Sequence, residues 1–90
     1  MASEQINMNT NSVNLILRKM KFVSEEINIL VRDLDRQIIT AEMDGWSDKN
    51  YQLLIDSFND TKQILNTGIR RIEEENIPFL ERIIRTASEL

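Results

Sequence analysis

An all-α fold, an antiparallel two-helix hairpin with the surface to pair into a four-helix-bundle dimer, is what this sequence predicts. Three observations carry that expectation. Apolar residues recur every seven positions in both halves of the chain, and one short break, Asp44-Gly45-Trp46-Ser47-Asp48, separates the halves. Two Gly and one Pro in 90 residues are also too few for a turn-rich β fold. The expected layout is a single domain over 1–90, with helix 1 at about 3–43, a turn at 44–47 and helix 2 at about 48–88.

In the first helix Val13, Met20, Ile27 and Leu34 belong to a seven-residue series running from Ile6 to Ala41. Ile16, Val23 and Leu30 lie three after members of that series, and Leu17, Val31 and Ile38 lie four after. Together they make a broad apolar face near the helical period. No Gly or Pro interrupts it, so nothing forces a break. Asn7, Asn9, Thr10, Asn11 and Asn14 compete for backbone hydrogen bonds, which predicts fraying before about Asn11.

Gly45 suits the left-handed residue that closes a helix C-terminus. Ser47 is the expected N-cap of the second helix, with Asp48 just inside it complementing the helix dipole. So short a connection returns the chain antiparallel.

In the second helix Tyr51, Phe58, Leu65, Ile72 and Phe79 repeat every seven residues, flanked by Leu54, Ile55, Ile69 and Ile83. The expected hairpin seam is therefore Val13, Met20, Ile27 and Leu34 against Tyr51, Phe58, Leu65 and Ile72. Gly68 is expected to admit the first helix closely, at about 1 kcal/mol in helix propensity. Pro78 removes a donor and collides with the carbonyl of Glu74, predicting a kink near Glu74–Ile77. The apolar pattern resumes at Leu80, Ile83, Ile84, Ala87 and Leu90, so the helix bends there and continues.

Composition narrows the function. The net charge of −4 argues against a nucleic-acid partner, which needs a basic face. No apolar run exceeds three residues, which predicts neither a membrane span nor a cleavable signal peptide. Without Cys or His, thiolate and imidazole metal sites and the commonest general base are missing. Acidic groups such as Glu73-Glu74-Glu75 diverge into water on one helix, whereas hydrolysis needs carboxylates opposed across a cleft. The expectation is a protein that is no enzyme and takes no cofactor, metal or small-molecule substrate.

One repeat exceeds what the seam needs. Met8, Leu15, Phe22 and Ile29 also recur every seven residues, two beyond the main series. Two residues rotate a helix by about 200°, so this stripe faces away from the second helix. A narrow apolar line set in charge has the composition of a partner interface. Pairing with a second hairpin as a four-helix bundle would bury it. Leu53, Ile64, Ile77 and Ile84 are similarly surplus on helix 2.

Trp46, the single Trp, lies in the turn, where it either plugs the end of the hairpin or is displayed at its tip. An acidic helical hairpin of this length with Trp in its turn resembles the WXG family, the ESAT-like small proteins of bacterial type VII secretion. The family motif is Trp, any residue, Gly; here Trp46-Ser47-Asp48 has Asp in the last place, and Gly45 precedes the Trp. The C-terminal Tyr-x-x-x-Asp/Glu of the family's export signal does not follow the second helix. The resemblance implies a partner, either another helical hairpin as homodimer or heterodimer or the helical domain of a larger effector, and a turn, Gly45, Trp46, Ser47 and Asp48, recognised by secretion machinery. It also implies a location in the bacterial cytoplasm or export without a cleavable signal, the protein being either cargo or a targeting chaperone. A structural or adaptor four-helix-bundle protein unrelated to secretion is the alternative, and an acidic neutraliser of a basic partner a weaker third.

Overall fold

A computed structural model describes residues 8–89. Apart from the turn at 44–48, nearly all the described residues are helical, with α1 at Thr10–Met43, α2 at Lys49–Arg71, a π-helical turn at Ile72–Asn76 and α3 at Ile77–Ser88. α2, the π turn and α3 form one continuous arm that runs back along α1. The result is a rod of 66 × 23 × 15 Å with a radius of gyration of 19.9 Å. A compact chain of this length would have a radius near 12 Å. Residues 3–7, placed in the first helix by sequence, lie outside the described residues.

Caps explain where the helices begin and end. Asn9 Oδ1 accepts the backbone N–H groups of Asn11 and Ser12 at 2.9 and 3.3 Å, which starts α1 at Thr10. At its other end Gly45 N–H donates to Glu42 O and Trp46 N–H to Ala41 O, both at 3.0 Å. These are the paired bonds of a Schellman closure, and Gly45 supports it at φ 110°. Asp48, rather than Ser47, is the N-cap of α2: its backbone is extended and its Oδ1 accepts Tyr51 N–H at 3.0 Å. The carboxylate adds charge to that cap at the positive end of the helix dipole, which a hydroxyl cannot do.

The seam is a row, with little depth. Leu17, Tyr51 and Ile69 are buried, together with the hydroxyl-bearing Ser24. Val13, Met20, Ile27, Phe58, Leu65 and Ile72 are half-buried. Leu34 departs from the expected seam, remaining 48% exposed. A seven-residue repeat drifts by about 20° per repeat on a straight helix, so three repeats after Val13 the series has rotated off the contact line.

The π turn accounts for a second departure. Ile77 N–H reaches back five residues to Ile72 O, widening the turn just ahead of Pro78, where an α-helix would jam the proline ring against Glu74 O. One residue is thereby absorbed and the inward face moves along by one. Phe79, seventh after Ile72, is turned out to 51% exposure, while Leu80, Ile83 and Ala87 take half-buried places.

Gly68 does not serve a close approach to α1, because a Cβ built there meets nothing within 4 Å. The two glycines therefore predict opposite outcomes. Gly68→Ala should raise the unfolding free energy by about 0.5–1 kcal/mol through helix propensity. Gly45→Ala should lower it by about 1–2 kcal/mol, since a Cβ strains the positive φ. Urea denaturation of both variants in dilute solution measures the pair.

Candidate interaction site

The tip is a closed network built on Asp48. Its Oδ1 accepts the Tyr51 backbone N–H and also the Trp46 indole N–H, the latter at 2.9 Å. The Trp46 and Tyr51 rings meet edge to face with centroids 5.2 Å apart, a favoured arrangement for aromatic quadrupoles. The Tyr51 hydroxyl crosses to α1, donating within reach of Ile38 O at 3.1 Å and Glu42 Oε2 at 3.0 Å. Trp46 thus lies partly on Tyr51 while 40% exposed, with Gly45, Ser47 and Asp48 exposed around it. Burial, and then the hydrogen bond and charge of Glu42, raise the Tyr51 phenol above its ordinary value of 10.0.

Along the rod the two edges of the seam differ in chemistry. Residues one or four after the Val13 series turn toward one edge, and residues three after it toward the other. On the first edge Ser24 Oγ donates to Glu73 Oε1, Lys62 Nζ meets both Asp35 oxygens at 3.0 Å, and Lys21 Nζ lies 3.5 Å from Glu81. Lys62 also sits 5.7 Å above the Phe58 ring. These pairs bridge that edge, beside a cleft near the tip lined by Ile38, Ile39, Tyr51, Ile55 and Phe58 with Asp35 and Glu42.

The opposite edge is open and apolar. One groove is lined by Ile16, Lys19, Met20, Val23 and Ile72. A second is lined by Ile27, Leu30, Val31, Leu34, Phe58 and Leu65. Only apolar atoms line either groove, Lys19 contributing its methylene stem. Leu30 is 60% exposed, and Leu54 on α2 is exposed as well.

The stripe expected from sequence is elsewhere. Leu15, Phe22 and Ile29 are exposed on the side of α1 turned from α2, and Met8 is half-exposed. They form a line on one helix, whereas the grooved edge draws on both. Sequence reasoning recorded Ile16, Val23 and Leu30 as part of the broad apolar face without seeing that they overhang the seam. Their signal was available: they are the i+3 row, and the i+1 and i+4 rows on the other side carry Ser24, Asp35 and Lys21. Ser24 was missed as well, being a polar residue in the row of Leu17, Val31 and Ile38.

Among the described residues no three acidic side chains gather to hold a metal ion, and no helix is long and apolar enough to cross a membrane. No protein-family model matches the chain, and neither a curated protein nor a solved structure does.

Tyr51→Phe should lower the unfolding midpoint by removing the hydroxyl's contacts with α1. The folded state holds the phenol proton more tightly than the unfolded chain, so this contribution is complete below pH about 10 and lost as pH climbs through the raised folded value. The difference between the midpoints of the two proteins should be flat near neutrality and shrink above that pH. Absorbance titration of the single Tyr checks the direction of the shift independently.

Proposed function

We propose that this chain is a non-enzymatic protein–protein interaction module, acting by dimerising or by binding the helical domain of a larger effector, in the manner of WXG-type secretion substrates or targeting partners. The observation that carries the reading is the unsealed apolar edge, where Ile16, Val23, Leu30 and Leu34 stand exposed beside Phe58, Leu65 and Ile72. Contiguous apolar surface of this kind marks interaction sites on soluble proteins. The hairpin, the Trp-bearing turn and the acidic charge support the resemblance to the WXG family; Asp48 in place of the motif's Gly departs from it.

A second reading, a structural or adaptor bundle protein unrelated to secretion, is favoured by one observation. The tip is satisfied by its own bonds, with the Trp46 indole N–H held by Asp48, so Trp46 has a sufficient role as a cap. Trp46→Ala separates the two. In the first case the variant should disappear from culture medium, or lose its effector on affinity capture, while its intracellular level and helicity persist. In the second it should lower the unfolding midpoint and leave partner capture unchanged. Export and capture assays beside thermal melts on the same variant provide the measurement.

A further inference from the structure

We infer that the open edge is a trough for a free, single-chain anionic amphiphile of the fatty-acid class. Its carboxylate is held by Lys19 and Arg82 at the end remote from the tip, and its chain runs toward Leu34. The inference concerns the same edge as the interaction reading above but a different occupant, so either can fail without the other.

Shape is the first argument. The two apolar grooves lie in line, their α1 walls running from Ile16 to Leu34, about 27 Å at 1.5 Å per residue. Their volumes are about 220 and 210 Å³, each below the roughly 300 Å³ at which small-molecule sites begin and together above it. Gly68 stands between them on the arm, three after Leu65 and four before Ile72. A Cβ built there meets nothing within 4 Å, so no side chain of the arm divides the grooves at that level. A long, narrow space lined by apolar atoms suits an extended run of methylenes better than a compact ligand.

Charge is the second. The row bordering the trough on α1 reads Lys19, Glu26 and Asp33, a cation at one end and acids toward the other. On α3, Leu80 and Ile83 turn to α1, and Glu81 lies on the polar edge within 3.5 Å of Lys21. Phe79, two residues before Glu81, is rotated from it by about 200°, which sets it on the open edge. Arg82 follows on that flank, its guanidinium 5.8 Å from the centre of the Phe79 ring. Among the described residues neither Lys19 nor Arg82 has an ion-pair partner, whereas Arg71 and Glu75 on the arm pair with each other at 3.5 Å. Two unpaired cations at one end of an apolar trough complement one anion on one apolar tail, and they fix its direction.

The same charges separate this occupant from a bilayer. An edge laid flat on an anionic membrane would press Glu26 and Asp33 against its head groups. A single chain entering at Lys19 keeps its one charge seven residues, about 10 Å, from Glu26.

Isothermal titration calorimetry of the intact chain with laurate, below its micellar concentration, tests the assignment. Laurate should bind one per chain, and myristate, two methylenes longer, about tenfold more tightly. Dodecyltrimethylammonium should bind at least tenfold more weakly than laurate. Lys19→Glu should weaken laurate binding at least fivefold, and Leu30→Asp at least tenfold, both with helicity intact by circular dichroism. Arg36→Glu, the same charge change at an exposed position of α1 outside the trough, should leave it unaltered. Equal binding of the cationic amphiphile, or an equal loss in the Arg36 variant, overturns the site as non-specific adsorption. Binding confined to phosphatidylglycerol vesicles overturns it in favour of a membrane surface. If laurate fails to bind while Leu30→Asp still abolishes capture of a helical protein, this inference falls and the interaction reading stands. If laurate binds as described while Leu30→Asp leaves such capture unchanged, this inference stands and the open edge no longer supports the interaction reading.

Discussion

Two helices touch along a line, and a line cannot enclose a core. That geometric limit governs the rest of this molecule. Each helix offers an apolar face wider than its neighbour can cover, so among the described apolar residues only Leu17, Tyr51 and Ile69 are buried. With so little enclosed, an isolated hairpin of this size is close to the limit of independent stability. Burial of the remaining face by a partner would add to the same hydrophobic term that folds the chain, so any such binding would stabilise the fold.

The turn answers a related difficulty. A seam without depth tolerates sliding of one helix on the other, because successive layers look alike. Asp48 limits that freedom by tying three groups in sequence, the indole of Trp46, the first turn of α2 and, through the Tyr51 ring, the last turns of α1. Further along, Ser24–Glu73 and Asp35–Lys62 pair groups of matching chemistry at fixed levels. Such contacts near the surface contribute little net stability. Their value is that any slipped register leaves them unmatched, so they select one alignment among many of similar apolar burial.

Much of this architecture was legible in the sequence, because seven-residue periodicity and a single Gly-Trp break leave few alternatives to a hairpin. What was not legible turned on shifts of about one residue or less. Leu34 sits in the predicted row, yet accumulated drift carries it off the seam. Ser47 and Asp48 both suit an N-cap by type; the carboxylate's capacity to accept from Trp46 and Tyr51 together decides between them. Phe79 continues the repeat on paper, but the repeat takes no account of the residue absorbed by the π turn. Of the candidate site, the tip residues were identifiable from their types. The grooved edge was harder to read, because its signal is the difference between two flanks of one seam and not any one residue.

That difference also explains why the polar pairs and the apolar grooves coexist on one small rod. In an antiparallel hairpin the rows three after each series fall on the same side, since reversing a helix inverts both its direction and the face it presents. The apolar row on α1 and Leu54 on α2 therefore gather on one edge, while Asp35, Lys62, Ser24 and Glu73 gather on the other. Glu73, one after Ile72, falls on the polar edge and accepts from Ser24 while Ile72 itself lines the groove. An edge already closed by charge pairs resists a newcomer, which would have to desolvate them. The open edge asks only for the displacement of water from apolar surface, so docking of the proposed helical partner costs less there.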